Sequence, residues 1–256
     1  MTRVLLGLLT RIRLPGSSAD LEDAASQQHL FPLVGLLVGL MATLVCIVFG
    51  SLFSPEDNLI AGSLMIAALY AITGIIHTEG LADFADGAMA NGSRDRKLAV
   101  MKDPHAGVAA VIVVIVFLLV FLALASEMCA RARESIGPFP IVWNAPVVFG
   151  FVVSEVSGKL AMNTSMLIGP SAHHGMGSAF VNRASSRKFA VAIALAFGPC
   201  ALLIGVASMI LLVGIVAGGA VTIAARKHFG GVSGDVFGAA NEIGRVGTLI
   251  LWVLII

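Results

Sequence analysis

Hydrophobic and polar positions fall along this chain in long blocks rather than in alternating strands. Uncharged runs extend from Leu30 to Ser54 and from Asn58 to Ile76, separated by an acidic turn at 54–57. Each is close to the roughly 20 residues that carry a helix through a bilayer core, and together they predict a helical hairpin. A third run covers Ala106 to Ser126. A fourth, Ser135 to Ser154, holds Pro138, Pro140 and Pro146 and is expected to kink or to begin late. From Phe189 to Ala225 there is no charge for thirty-seven residues. One helix of that length would measure about 55 Å, nearly twice the hydrocarbon thickness, so two helices are predicted. Their bend is placed near Gly198 and Pro199 or near Gly205. The last run ends at Ile256 and extends back towards Asp235. The pattern thus predicts about seven transmembrane helices in a single domain covering 1–256. Ahead of them, Leu5, Leu8, Leu9 and Ile12 recur at helical spacing opposite Arg3 and Arg11. That is the pattern of a short amphipathic helix at a membrane surface, and Arg11 and Arg13 interrupt it too early for a cleaved signal peptide.

Composition sharpens the class. Of 256 residues, 58% are hydrophobic and 12% charged, which excludes disorder and an ordinary soluble domain. The fold class is an all-α, polytopic integral membrane protein. Cys46, Cys129 and Cys200 lie within or beside apolar runs without metal-ligand spacing and read as packed hydrophobes. The net charge of +1 says little, but its distribution says more. Seven spans place 77–105, 155–188 and 226–235 on the same face as the N-terminus, and that face collects every Lys and Arg except Arg131 and Arg133. By the positive-inside rule it is cytoplasmic, in a cell membrane. Charges inside the spans read as essentially absent, which argues against an ion-coupled permease. No Walker lysine motif, G-x-S-x-G, H-E-x-x-H or nucleic-acid-reading motif is present, and no nucleic-acid partner is expected.

The chemistry concentrates between His77 and Gly107. Glu79, Asp83 and Asp86 stand at i, i+4 and i+7, within about 60° of one another on a helix. A helix entering from the second span and stopped by Gly87 would place these acids at the negative end of its dipole. Three repelling carboxylates there call for a cation, and oxygen-only ligands select Mg²⁺ or a similar hard ion. A solvated acidic face is the plainer alternative. Downstream stand Arg94, Arg96, Lys97, Lys102 and His105, interleaved with Asp95 and Asp103. Bases beside a hard metal suit a polyphosphate, and Lys102 sits just before the third span. His77 lies on another side of the helix from Asp83, as an orienting group or, were the backbone to unwind, a general base. His173 and His174 are adjacent and cannot face the same way on a helix, so no two-His metal site is expected. The glycine-rich turn Gly230 to Asp235 enters a helix with Asp235 near the N-cap. Such a turn presents N–H groups to phosphate or nucleotide, though simple capping explains it equally well.

At these residues the chain resembles the cobalamin synthase, or adenosylcobinamide-GDP ribazoletransferase, family of membrane enzymes over almost its whole length. The likeness begins in the stretch Leu8 to Pro15 and continues through His29 to Leu40, which opens the first span. His77 to Gly87 resembles the family's acidic core, followed by Met101 to Asp103, then Gly175 to Gly177 and the block from Gly230 to Ile243. Glu79 stands where the family has Asp, and Pro104 and His105 replace a Ser-Arg pair, so the family's arginine is missing there. What the resemblance implies is transfer between adenosylcobinamide-GDP and α-ribazole, or its 5′-phosphate, releasing GMP with Mg²⁺. Glu79, Asp83 and Asp86 would hold the ion, and Lys102, with Arg94 or Arg96, would neutralise charge. His105 is one replacement for the missing arginine, and Asp235 would help hold a nucleoside. Homo-oligomers and other cobalamin-assembly enzymes stay open as partners beside the lipid bilayer. A CDP-alcohol phosphotransferase is the nearest rival, but Asn91 stands where its signature needs arginine. A divalent-ion or metabolite permease is the rival from another class.

Overall fold

The computed structural model describes residues 3–12, 21–135 and 148–255, and among them there are helices and no strands. The helices are α1 (Arg3–Leu9), α2 (Leu21–Ser26), α3 (Phe31–Leu52), α4 (Asn58–Thr73), α5 (Ile76–Met89), α6 (Arg94–Met101), α7 (Val108–Ser135), α8 (Gly150–Ile168), α9 (Met176–Arg183), α10 (Ser186–Ile204), α11 (Leu212–Phe229) and α12 (Gly234–Ile255). Four stretches, Gln28–Leu52, Val108–Ser135, Ser186–Phe229 and Gly234–Ile255, are long and apolar enough to cross a membrane. A fifth joins them if α4 and α5, bent by 96°, count as one span. Apolar side chains line the outside of these helices, as on α7, where Ile112, Val116 and Leu119 are exposed. This is a multi-pass membrane protein whose outer apolar surface suits lipid.

The 44-residue stretch from Ser186 to Phe229 is two helices, as its length requires. Of the two bends expected, the structure uses Gly205, at φ 60°, followed by a 3₁₀ segment Gly205–Leu211. A side chain at that φ would clash with its own backbone, which is why glycine ends the helix there. Pro199 sits inside α10 without ending it.

Four expectations about boundaries are corrected. The third run continues as helix to Ser135, so Arg131 and Arg133 belong to α7 and not to a loop. Arg133 holds that end of the bundle together by donating to the Gly50 carbonyl at 2.7 Å and to Asn58 Oδ1 at 2.7 Å. Where the fourth run was expected to end, near Ser154, helix α8 is only starting, since it covers Gly150–Ile168. Pro138, Pro140 and Pro146 lie outside the described residues. The acidic helix is separate from the second span, since α4 stops at Thr73 and α5 starts at Ile76 after Gly74. Nor does Gly87 end α5, which continues to Met89. Gly87 is there for packing, because a Cβ on it would lie 2.4 Å from Met101 Cγ.

Every residue of α8 from Gly150 to Met166 is buried. It packs chiefly against α12, α3 and α11 and forms the axis around which the other long helices stand. Helix α1 buries Leu5, Leu6 and Leu9 against the protein, with the Arg11 N–H bonded to the Ile72 carbonyl at 2.8 Å. The amphipathic N-terminal helix thus exists, but its apolar face docks on the bundle. Helices α5, α6 and α9 gather at the same end, where α3, α7, α10 and α12 begin. There α5, turned 96° from α4, lies outside the four long apolar stretches.

Candidate functional site

The site is built where α5 crosses the first turns of α12. Small residues set the crossing: a Cβ on Gly80 would lie 2.7 Å from the Asp235 carbonyl oxygen, and one on Gly238 3.0 Å from that of His77. Only glycine on both helices allows so close an approach. Its consequence is electrostatic, because Asp235 is brought to the carboxylates of α5. Burial, then the charges of Asp235, Glu79 and Asp86, push the Asp83 carboxyl up to about 6. Asp235 was expected near an N-cap. The cap is Ser233, whose Oγ accepts from the Val236 N–H, while Asp235 stands in the first turn and accepts from the Ser233 hydroxyl. The sequence spacing had grouped three of these four acids and set Asp235 apart as a nucleoside contact, and only the crossing brings it to the other three.

Among the described residues none of the four acids has a salt-bridge partner. Glu79 is exposed, while Asp83, Asp86 and Asp235 are half-buried. Asp86 is the most occupied, because its carboxylate accepts from the N–H groups of Gly107 and Ala110 and so fixes the start of α7. Among the described residues no three acidic, histidine or cysteine side chains close into a metal cage. Mg²⁺ does not need one: it binds through one or two carboxylates, keeps several waters and takes substrate phosphates as further ligands. The donor set, oxygen-only and short of positive charge, fits such an open site.

The basic residues divide by location. Arg96 and Lys102 are exposed on the same segment. Arg94 is tied down, with Nε donating to the Phe229 carbonyl and its guanidinium lying over Gly230. Lys97 donates to the Ala88 carbonyl at 3.0 Å and lies 2.9 Å from His228 Nδ1, so it joins α5, α6 and α11. His105 is exposed and paired with Asp103 at 2.8 Å, and this partner, with the His105 N–H, holds the Asp103 carboxyl below its ordinary range. The turn ahead of α12 is held by backbone bonds, Ala172 N–H to the Val232 carbonyl and Val232 N–H to that of Pro170. His173 and His174 lie just before α9.

Away from the acids, His77 is buried against an apolar cavity formed with α1, α3, α8, α9 and α12. Burial, with the charges of Lys159 and Arg245 close by, lowers its pKa well below the ordinary imidazole value.

With this geometry in hand, comparison with known proteins is decisive. Residues 1–253 match the model of the family described as cobalamin-5-phosphate synthase. The chain belongs to the cobalamin-5-phosphate synthase family. An adenosylcobinamide-GDP ribazoletransferase of Halorubrum lacusprofundi is 36% identical over 96% of this chain and 94% of its own length. Those of Thermococcus onnurineus and Thermococcus kodakarensis are 32% and 31% identical, over 96% and 99% of this chain and 94% and 98% of their own lengths. No solved structure matches. As a member of the cobalamin-5-phosphate synthase family, the protein is a transferase of cobalamin synthesis.

One feature of this family member escaped the sequence reading, which took charges within the spans to be essentially absent. Glu155 and Lys159 on α8, with Glu242 and Arg245 on α12, are each at most 2% exposed. Arg245 pairs with Glu155 at 3.2 Å and with Glu242, and its guanidinium lies 4.6 Å from the Phe121 ring centroid. Lys159 donates to Asn241 Oδ1 at 2.6 Å and lies 4.0 Å from Glu155. Lys159 and Arg245 therefore leave the set of face charges. The i, i+4 spacing of Glu155 and Lys159 and the i, i+3 spacing of Glu242 and Arg245 were the available signal.

Proposed function

We propose that this protein joins adenosylcobinamide-GDP to α-ribazole or its 5′-phosphate, releasing GMP, at the crossing of α5 and α12. Four carboxylates gathered with no counter-charge among the described residues carry this reading, because such a cluster needs a cation and a pyrophosphate donor needs one too. Glu79, Asp83 and Asp235 would hold Mg²⁺, and Asp86 anchors the start of α7. When bound, the ion supplies charge neutralisation at the pyrophosphate oxygens. The new bond joins a ribose hydroxyl oxygen to the phosphorus next to cobinamide. The P–O bond to GMP breaks, and the hydroxyl proton is lost. Arg96 and Lys102, exposed on the same rim, meet the charge that develops on the phosphate oxygens. Arg94 holds the Gly230 turn against α6 and so positions α12, and His105 with Asp103 shapes the approach to α7.

The bundle end that carries the site also carries most of the basic residues, so we place it on the cytoplasmic face of the cell membrane. Purified, reconstituted protein should release GMP from adenosylcobinamide-GDP and α-ribazole phosphate only when Mg²⁺ is present. Absence of GMP with both substrates and the ion would overturn the transfer reading, and undiminished release in a chelator would overturn the metal.

A further inference from the structure

In sequence all three cysteines read as packed hydrophobes, but in the structure two of them meet. Cys46 on α3 and Cys129 on α7 place their sulfurs 3.7 Å apart, while Cys200 lies on α10. The backbones are close as well. One turn after Cys46, a Cβ on Gly50 would lie 2.4 Å from the Cys129 carbonyl oxygen, and one turn after Cys129 the Arg133 Nε donates to the Gly50 carbonyl at 2.7 Å. Glycine is what lets two helices approach so nearly. A disulfide needs Cα atoms within about 7 Å and side chains that point at each other. Packing of backbone on glycine brings the helices towards that range, and the sulfurs already face each other.

The pair sits at the far end of α7 from the acids. Asp86 holds the first turn of α7, and Cys129 stands about 31 Å along the helix from Val108. That is about the thickness of the hydrocarbon core, so Cys129 reaches the opposite boundary, where Arg133 donates to the Ser54 carbonyl and to Asn58. With the acids on the cytoplasmic face, as proposed above, this boundary faces the outside of the cell, where disulfides form and persist. The two cysteines are 83 residues apart, and the chain between them carries α4, α5 and α6, hence Glu79, Asp83 and Asp86.

We propose that Cys46 and Cys129 form a disulfide that clamps α3 to α7 and closes a loop around the acid helix. Only its oxidising side rests on the placement of the acids above. The oxidant is a disulfide, RSSR, borne by a thiol oxidoreductase of the outer compartment. The Cys46 thiolate attacks one sulfur of RSSR, which forms a mixed disulfide and releases RS⁻. The Cys129 thiolate then attacks the Cys46 sulfur, the Cys46–Cys129 bond forms and the second RS⁻ leaves. Two thiols are oxidised to one disulfide, RSSR is reduced to two RSH, and the two cysteine protons pass to the leaving sulfurs. Exchange takes place while the bundle assembles, because in the folded protein Cys46 and Cys129 are 1% and 0% exposed. The same burial then keeps reductants out.

The test counts thiols in wild-type protein taken from its native membrane, quenched in acid and then alkylated in denaturant. Cys200 alone should react before reduction, and all three cysteines after it. Three reactive thiols before reduction would overturn the clamp. Cys46→Ala should show two, with or without reductant. Reductant present during thermal unfolding should lower the wild-type midpoint by about 5 °C or more, as expected when a long loop is released, and leave that of Cys46→Ala where it is. An equal response of the two also overturns the clamp, and if Cys46→Ala does not fold, the wild-type thiol count decides alone. The side is tested separately: Glu56→Cys, in the exposed turn after α3, should react with a membrane-impermeant maleimide on intact cells. Reaction only after lysis, with one thiol still counted in the wild type, would leave the disulfide standing and overturn both its outer oxidant and the cytoplasmic placement of the acids.

Discussion

Two clusters of charge lie on the same helix and differ in what they lack. Glu242 and Arg245 on α12, with Glu155 and Lys159 on α8, form a quartet of two acids and two bases shut inside the bundle. Two turns earlier on α12, Asp235 joins Glu79, Asp83 and Asp86 at a surface that holds four acids and, among the described residues, no paired base. The buried cluster is balanced. Its two acids answer its two bases, with the Arg245 guanidinium between two carboxylates and Phe121 against its face, and only Arg245 Nε among the quartet's atoms is buried without a hydrogen-bond partner. The open cluster is incomplete and is held together by the Gly80–Gly238 approach against its own repulsion. Charge balance therefore separates a structural network from a binding site more reliably than burial or residue type.

The comparison is broken most sharply by neutralising one member of each cluster. Asp83→Asn should lower GMP release about a thousandfold or more, as expected when a group aimed at transition-state charge is removed. It should leave the folded protein at least as stable, because it removes repulsion. Arg245→Met should do the opposite first: it removes the guanidinium from Glu242 and leaves Glu155 only Lys159 at 4.0 Å, which unbalances a buried network at a cost of about 3–5 kcal/mol. Thermal unfolding in detergent, read beside activity, checks both, and equal destabilisation by the two variants would remove the distinction.

The next largest effect concerns the crossing. Gly80→Ala places a methyl against the Asp235 backbone, and overpacking of this kind costs about 1–3 kcal/mol. Because it pushes Asp235 from Asp83, activity should fall more than stability, by at least tenfold. Gly219→Ala, at a glycine with open space around it, is the control and should change neither.

Protons compete with the cation at the open cluster. With the Asp83 carboxyl raised to about 6, it is largely charged at pH 7 and largely neutral at pH 5. Mg²⁺ affinity should therefore be full above pH 7 and fall as pH drops through 6, by up to about tenfold per pH unit for one displaced proton. Asp235→Asn removes one of the charges that raise this pKa and should move the midpoint to lower pH. Mg²⁺ titration of GMP release at several pH values reads the shift.

Much of this is legible in the sequence. The runs of uncharged residues gave the long helices, because a bilayer-length apolar stretch has few other uses, and the length of 189–225 required a break that Gly205 provides. Glu79, Asp83 and Asp86 were legible because helical spacing is local. Asp235 was legible as a candidate for holding a nucleoside, but neither its place beside these acids nor the cavity was, since both depend on where α5 meets α12, and nothing within either segment encodes the distance between them. The buried quartet was hidden for a different reason. In α8, Glu155 and Lys159 are diluted by polar neighbours such as Ser157 and Asn163, so the helix reads as a loop although it is the axis of the bundle. The boundaries at Thr73 and Ser135 were missed because hydropathy marks apolar stretches and not helix ends.

The smallest expected effects distinguish neighbouring bases that look alike in sequence. Arg94 and Arg96 are two residues apart and both exposed, yet Arg94 is tied to the Phe229 carbonyl by its Nε. Arg96→Ala and Lys102→Ala should each lower kcat about tenfold, or about 1.4 kcal/mol of transition-state stabilisation, with unfolding unchanged. Raising the salt concentration should weaken both contributions, since exposed charges are screened. Arg94→Ala should act by another route: with its bond to the Gly230 turn lost, α6 loosens from α11, and the effect should appear in stability and persist in high salt. If Arg94→Ala instead behaves as Arg96→Ala does, with a salt-sensitive loss of kcat and no loss of stability, then Arg94 faces the substrate and the rim carries one more phosphate-binding group than its hydrogen bond to Phe229 implies.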